Sequence, residues 1–165
     1  MTLLPADLLA QARQTLDALA QRGLRFAAAE SCTGGLVIAA LTSLAGSSAV
    51  VQCGFVTYSN QAKAAMLGIA PGLIDAEGAV SEAVAKAMAT GAIDRSDADV
   101  AVAITGIAGP GGGSAAKPVG LVHFAALRRG GDVIHHRQVF EGDRDAVRRQ
   151  AAITALSLTI IAANS

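Results

Sequence analysis

Four residues of the sequence could carry out chemistry together. Ser31, Tyr58 and Thr105 each stand at the end of an apolar run, and Lys63 follows Tyr58 by five residues. A serine hydroxyl becomes a nucleophile when a base removes its proton, and a neutral lysine amine can be that base. The residue types therefore allow acyl transfer by a Ser–Lys pair.

Ser31 has two interpretations on local sequence alone. It precedes Gly34 and Gly35, which open a predicted helix, so its hydroxyl would lie beside unpaired N–H groups that could hold an oxyanion. In the other interpretation Ser31 or Thr33 only caps that helix, and Thr33 is the better cap. The G-x-S-x-G pattern of α/β-hydrolases is absent, because Ala29 and Thr33 occupy its glycine positions.

Lys63 lies three residues after Asn60, which can cap a short helix. A helix N-terminus disfavours a cation, and so favours the neutral amine, by only ~0.3–1 kcal/mol. Desolvation or a neighbouring cation would have to lower the pKa further, and a solvated surface lysine is the ordinary alternative. Tyr58, the single tyrosine, either relays a proton, orients Lys63, or simply ends a strand.

A glycine-dense stretch covers residues 106–118. Gly106, Gly109 and Gly111 would let the backbone approach a phosphate closely, whereas the alternative is a flexible connection. The stretch is not a Walker loop, because Gly112-Gly113 stand where that motif requires lysine followed by serine or threonine.

Two arginines, Arg144 and Arg148, lie four residues apart near the start of the last predicted helix. Their charges oppose the helix dipole at that end. An anionic ligand such as a phosphate would explain this placement, and a surface charge network with Asp143 and Asp145 is the alternative. Both arginines are therefore candidate substrate ligands.

Alternating helices and strands must position these residues. Periodicity and capping signals predict helices at 4–21, 33–44, 60–67, 81–92 and 143–162, and strands at 24–30, 50–58, 100–105, 119–127 and 133–140. This order predicts a single α/β domain over residues 1–165, with three α/β/α layers around a mixed, mostly parallel sheet. Because working groups in such sheets lie beyond the carboxyl ends of the strands, we expect the candidate residues to share one crevice.

Composition excludes several classes of protein. The 13 basic and 13 acidic side chains form no stripe that suggests a nucleic-acid partner. Apolar runs are shorter than the ~20 residues of a membrane span, and residues 1–10 lack the basic region of a secretory signal, which predicts a cytoplasmic protein that makes no membrane contact. Cys32 and Cys53 suggest neither a disulfide nor a zinc site. Small size and alanine-rich helices favour a homo-oligomer.

Five blocks of the sequence closely resemble the CinA C-terminal domain family, in family order and over nearly the whole chain. They are AAAESCTGG, GFVTYSNQAK, GAVS, ITGIAGPGGGS with KPVG, and FEGDRDAVRRQA. Stand-alone members of this family are nicotinamide-nucleotide amidohydrolases. The resemblance implies hydrolysis of the carboxamide of nicotinamide mononucleotide to nicotinate mononucleotide and ammonia, within pyridine-nucleotide recycling and without a cofactor or metal.

The resemblance also implies roles for single residues. Ser31 matches the family's nucleophile and Lys63 its base, while Tyr58, Thr105 and Arg144 match further polar positions of the family site. Two alternatives stay open: a non-catalytic nucleotide-binding or competence-related interaction module, and an amidase that acts on an unrelated amide.

The mechanism that fits these roles is acyl transfer in a dry crevice. We expect N–H groups near Gly34 and Gly35, with Thr105, to stabilise the oxyanion. The glycine-dense stretch and Arg144 would hold the phosphate of a small-molecule nucleotide substrate.

Overall fold

The computed structural model describes residues 3–165, in which a five-stranded sheet carries helices on both faces. Residues 1 and 2 of the predicted domain lie outside the described residues. The strands are β1 (Phe26–Glu30), β2 (Val51–Val56), β3 (Val100–Gly106), β4 (Leu121–Arg128) and β5 (Ile134–Val139). The helices are α1 (Ala6–Gln21), α2 (Leu36–Thr42), α3 (Asn60–Leu67), α4 (Pro71–Glu77), α5 (Glu82–Asp94) and α6 (Arg144–Ala163).

The strand order is β2-β1-β3-β4-β5. β1 pairs in parallel with β2 and β3, whereas β4 runs antiparallel to β3 and to β5. The carboxyl ends of β1, β2 and β3 therefore share one edge of the sheet, and β5 brings the chain back to that edge before α6 begins. This mixed sheet confirms the predicted fold class.

Two apolar layers sandwich the sheet. α1, α2 and α6 pack on one face, and α3, α4 and α5 pack on the other. The sequence of β3 is apolar throughout because both of its faces are buried. Val102 and Ile104 face the first layer, while Ala101 and Ala103 face the second. The arrangement confirms the predicted three layers.

Small residues bring the second layer close together. Gly91 of α5 lies so near α3 that a Cβ atom there would overlap the carbonyl oxygen of Leu67. Only a residue without a side chain fits this contact. Gly91 thus sets how closely α3, the helix that carries Lys63, approaches the rest of the layer.

Polar side chains fix the N-termini of three helices. Ser81 accepts a hydrogen bond from the N–H of Val84, and Asp143 accepts one from the N–H of Ala146. The predicted cap of α3 is off by one residue, because Ser59 and not Asn60 accepts the N–H of Ala62. Across residues 3–165, no helix has both the length and the apolar surface that crossing a membrane requires.

Candidate active site

The carboxyl ends of β1, β2 and β3 meet at a cavity of about 210 Å³. Ser31, Tyr58, Lys63 and Thr105 line it, together with Arg144 from the start of α6. The remaining lining residues are Cys32, Asn60, Ala79, Val80, Gly106 and Ala108. Segments that are distant in sequence therefore share one crevice, and none of its lining residues is acidic.

Ser31 and Lys63 are in direct contact. The Lys63 Nζ atom lies 3.0 Å from the Ser31 Oγ atom. Lys63 stands one turn into α3 and is only 1% exposed, so it is not the solvated surface lysine of the alternative interpretation. Burial lowers the pKa of the Lys63 amine, because the charged form loses its hydration.

Two backbone carbonyl groups orient the Lys63 amine. Its Nζ atom lies 2.9 Å from the carbonyl oxygen of Thr57 and 3.4 Å from that of Tyr58. A neutral amine has two N–H bonds and one lone pair. With two carbonyl oxygens accepting the N–H bonds, the lone pair is left for the hydroxyl proton of Ser31, which is the arrangement a general base requires.

Glu30, which sequence analysis did not single out, organises the turn around Ser31. It is 0% exposed, and its carboxylate accepts the N–H groups of Gly35, Val37 and Ile38 at 3.0, 3.2 and 3.1 Å. The sequence did contain a signal for this role, namely a glutamate at the end of an apolar strand and directly before the serine. Glu30 therefore satisfies the start of α2, which has no side-chain cap of its own.

This arrangement overturns two expectations about the turn. Thr33 is not the cap of α2, because its buried hydroxyl oxygen has no hydrogen-bond partner in the part of the chain that the structure describes. The N–H of Gly35 is taken by Glu30, and the N–H of Gly34 donates to the carbonyl oxygen of Ser31 at 3.1 Å. Neither glycine N–H is free to hold an oxyanion.

Tyr58 and Arg144 stand at the mouth of the cavity. The Arg144 guanidinium donates to the Tyr58 hydroxyl at 2.9 Å and to the carbonyl oxygen of Gly109 at 2.8 Å. Tyr58 is 60% exposed, and Lys63 contacts its backbone and not its hydroxyl. The geometry therefore supports Tyr58 as a residue of the rim and gives no contact for a proton relay to Lys63.

Arg148 is placed differently from Arg144. Its guanidinium donates to the carbonyl oxygens of Cys32 and Thr33 at 3.2 and 3.0 Å, and it does not line the cavity. Arg148 therefore stabilises the Ser31 turn, and its predicted role as a ligand for an anion finds no support. Within residues 3–165 neither arginine forms an ion pair with Asp143 or Asp145.

The other wall of the cavity is held by Thr105 and Lys117. The Thr105 hydroxyl donates to the carbonyl oxygen of Ala79 at 2.8 Å, so its oxygen is left as an acceptor and, contrary to the expectation, it has no proton to donate to an oxyanion. Lys117, missed by sequence analysis, donates to the carbonyl oxygen of Glu77 at 2.8 Å and ties the glycine-dense stretch to the end of α4. Gly106 lines the cavity, where a Cβ atom would lie 2.7 Å from Val122.

In the same stretch Gly109 is buried and Gly111 is exposed. Gly109 has a φ of +81°, while a Cβ atom added at Gly111 would have no neighbouring atom within 4 Å. The N–H groups of Gly111, Gly112 and Gly113 donate no hydrogen bond within the described residues. They are consequently available to an anionic ligand.

The three histidines and Cys53 lie outside the lining of the cavity, whereas Cys32 lines it. His123 Nδ1 lies 3.0 Å from His135 Nε2, and burial lowers the pKa of His123 to about 4. Burial raises the pKa of the Cys32 thiol to about 11, which keeps it protonated and unreactive at neutral pH. Across residues 3–165, no group of three or more histidine, cysteine, aspartate or glutamate side chains is arranged to hold a metal ion.

Comparisons with known proteins identify the family. The family model of the CinA C-terminal domain matches residues 9–162. Nicotinamide-nucleotide amidohydrolase PncC of Escherichia coli strain K12 is 52% identical over 151 residues, which cover 92% of each chain. A CinA-like protein of Akkermansia muciniphila is 49% identical over 139 residues, which cover 84% of this chain and 34% of that longer protein.

Solved structures agree with the sequence comparisons. The crystal structure of competence/damage inducible protein CihA from Agrobacterium tumefaciens superimposes with a TM-score of 0.95 at 51% identity, with 100% of both chains covered. A CinA superfamily protein from Klebsiella pneumoniae gives a TM-score of 0.90 at 38% identity, over 95% of this chain and 98% of that one. The predicted resemblance is confirmed, and the chain belongs to the CinA C-terminal domain family.

Proposed function

We propose that this protein hydrolyses the carboxamide of nicotinamide mononucleotide, giving nicotinate mononucleotide and ammonia. The observation that carries the proposal is the buried contact of 3.0 Å between Lys63 Nζ and Ser31 Oγ. The name of the E. coli relative, a nicotinamide-nucleotide amidohydrolase, supports the choice of substrate.

Ser31 is the nucleophile and Lys63 the general base in this proposal. As the Ser31 oxygen bonds to the carboxamide carbon, its proton moves to the neutral Lys63 amine. Lys63 then returns that proton to the carboxamide nitrogen, and the C–N bond breaks. Ammonia departs, and the acyl group stays bound to Ser31 as an ester. Water, deprotonated by Lys63, cleaves the ester and restores the serine. These steps call for no metal ion or cofactor.

Thr105 orients the carboxamide. Because its hydroxyl proton is donated to Ala79, the Thr105 oxygen can only accept, and it therefore matches the –NH₂ group of the substrate. An ester or carboxylate offers no N–H at that position. Thr105 thus favours a primary amide over the acid that the reaction produces.

The phosphate of the substrate lies at the mouth of the cavity. A volume of about 210 Å³ accommodates the pyridine ring and its carboxamide, so the ribose phosphate extends outward past Arg144. Arg144 lines the cavity and donates to the carbonyl oxygen of Gly109, so the unpaired N–H groups of Gly111 and its neighbours lie two to four residues after that contact. Both are suited to a phosphate, since cations and free backbone N–H groups bind such anions well.

Ammonia release from nicotinamide mononucleotide tests the proposal. We expect turnover by the wild type, none by Ser31→Ala, and a severe loss in Lys63→Ala, with the folded state of each variant checked by circular dichroism. Full turnover by Ser31→Ala would remove the nucleophile from the mechanism. Nucleotide binding by the wild type without ammonia release would favour the non-catalytic module, which no observation favours at present.

Further expectations belong to the same proposal. Residues 1–165 form a single domain that acts in the cytoplasm on a small-molecule substrate, as a homo-oligomer, without a nucleic-acid or membrane partner. Size-exclusion chromatography with light scattering measures the oligomeric state.

A further inference from the structure

The turn that carries Ser31 uses nearly all of its backbone N–H groups. Those of Ser31, Gly34 and Leu36 donate to backbone carbonyl oxygens at 2.9, 3.1 and 3.2 Å, and those of Gly35, Val37 and Ile38 donate to the Glu30 carboxylate. Within segment 31–38, only the N–H groups of Cys32 and Thr33 donate to no other residue in the described part of the chain. These two directly follow Ser31.

Arg148 fixes the direction of one of these free groups. It holds the carbonyl oxygen of Cys32, which belongs to the same peptide unit as the N–H of Thr33. In a trans peptide the C=O and N–H bonds point in opposite directions. The Thr33 N–H therefore points away from Arg148. Cys32 lines the cavity, and the buried Thr33 directly follows it.

We propose that the N–H groups of Cys32 and Thr33 form the oxyanion hole, and that Glu30 is the positioning residue that holds them in place. The inference rests on the proposed function, with Ser31 as nucleophile. As the Ser31 oxygen bonds to the carboxamide carbon and the proton moves to Lys63, the carbonyl electron pair moves onto the substrate oxygen. That oxygen accepts the two free N–H groups.

Glu30 determines which N–H groups are available. Its buried carboxylate occupies the start of α2, the position at which a helix would otherwise bind an anion. A second negative charge is therefore excluded from that position. The developing oxyanion is directed instead to the two N–H groups that precede Gly34.

NMR spectroscopy of the wild type tests the assignment of the oxyanion hole. The probe is the mononucleotide of pyridine-3-carboxaldehyde, whose aldehyde adds to Ser31 as a hemiacetal and so imitates the tetrahedral intermediate. We expect the amide protons of Cys32 and Thr33 to show the largest downfield shifts on adduct formation. Larger shifts at Gly34 or Gly35, with little change at Cys32 and Thr33, would overturn the inference and leave Ser31 as the nucleophile.

The same experiment separates this inference from the proposed function. Absence of the adduct together with absence of ammonia release from nicotinamide mononucleotide would refute the proposed function itself. An adduct in the wild type that is lost in Ser31→Ala establishes the nucleophile. Once the nucleophile is established, the shifts of individual amide protons test only which N–H groups form the oxyanion hole.

Glu30→Gln tests the positioning role, because glutamine keeps the size of the side chain but replaces one acceptor oxygen by an N–H donor. We expect kcat to fall about 10²-fold while KM stays within about twofold. Affinity for the aldehyde should fall in parallel with kcat, and affinity for nicotinate mononucleotide should not. Glu141→Gln, at an exposed glutamate, is the matched control and should behave as the wild type.

Two results would contradict the role of Glu30. One is a folded Glu30→Gln protein with kcat within about threefold of the wild type. The other is an equal loss of affinity for the aldehyde and for nicotinate mononucleotide, which is what general damage to the site would produce. If Glu30→Gln does not fold, the amide shifts of the wild-type adduct still decide the oxyanion hole.

Discussion

Two backbone segments near the cavity are built in opposite ways: the Ser31 turn supplies two of the lining residues, and the glycine segment begins two residues after the lining residue Ala108. In the Ser31 turn, residues 31–38, six of eight N–H groups are paired, three of them with the fully buried Glu30. In the glycine segment, residues 110–116, every residue is exposed and the N–H groups of 111–113 are unpaired within the described residues. The glycine segment is tied to the protein at its ends, through Arg144 to Gly109 and through Lys117 to Glu77.

The difference matches two separate requirements of an amidase. Stabilising a transition state needs donors that are fixed before the reaction begins. Admitting a nucleotide and releasing a product needs a segment that can adjust. Changes in the Ser31 turn should therefore affect kcat and stability, and changes in the glycine segment should affect KM.

Replacing Lys63 by methionine should give the largest effect. We expect kcat to fall about 10³-fold, because no base remains for Ser31. The free energy of unfolding should stay within ~1 kcal/mol of the wild type, since methionine fills the space without a buried amine. Steady-state ammonia release and urea denaturation measure the two quantities. A variant with near-normal kcat would show that another group is the base.

Glu30→Ala should be the most destabilising of these substitutions. Three N–H groups, one buried and two part-buried, lose their acceptor, which should lower the free energy of unfolding by about 3 kcal/mol or more. Ser81→Ala, which removes the ordinary cap of α5, should cost only ~1 kcal/mol. Equal midpoints of urea denaturation for the two variants would show that the Ser31 turn is no more tightly built than a normal helix start.

Arg144→Ala should act on binding alone. Losing a charged donor to the phosphate should raise KM for nicotinamide mononucleotide by about 10- to 100-fold with little change in kcat. Nicotinamide riboside, which has no phosphate, should be hydrolysed by the variant and the wild type with similar kcat/KM. Arg137→Ala, at a position of β5 outside the cavity lining, serves as the control. A fall in kcat equal to the rise in KM would place Arg144 in the chemical step.

The pH dependence of the reaction should follow Lys63. Its pKa lies below the ordinary value of 10.5 because of burial, and the free enzyme needs the neutral amine. Below that lowered pKa, kcat/KM should fall about tenfold for each unit of decrease in pH. A pH profile taken where circular dichroism shows the folded state measures this. A flat profile in the acid range would argue against a titrating lysine.

A pair of glycine substitutions should give the smallest effects and compare the segments directly. Gly111→Ala enters open space, so we expect stability within ~0.5 kcal/mol and a change in KM of about threefold or less. Gly34 has a φ of +59°, so Gly34→Ala should cost ~1 kcal/mol or more and lower kcat. Thermal unfolding and initial rates test both, and a larger loss of stability in Gly111→Ala would reverse the comparison.

Much of the fold could be predicted because its signals are local. Apolar runs bounded by glycine and polar residues marked the strands, and the carboxyl-end rule brought Ser31, Tyr58 and Thr105 to one crevice. The late start of α2 could not be predicted, because the turn before it is held by Glu30 through contacts five to eight residues away. The cap predicted at Thr33 was wrong for the same reason.

The contacts within the site join residues that are far apart in the sequence, and local residue spacing does not predict such contacts. Burial of Lys63 follows from the packing of α3 against the second layer, and no pattern around residue 63 indicates it. The sequence predicted an anionic ligand for Arg148 because its charge opposes the helix dipole, yet its partners are carbonyl oxygens more than 100 residues earlier. The roles of individual site residues stay predictions until the variants are measured.

Gly91 extends the set of positions on which catalysis depends. A side chain there would press on Leu67 and displace α3, and with it the amine that faces Ser31. In a mutational screen scored by ammonia release, Gly91 would appear among the positions that do not tolerate substitution, although it is not among the residues that line the cavity. The positions that do not tolerate substitution would therefore include Gly91, which positions α3, as well as Lys63 itself.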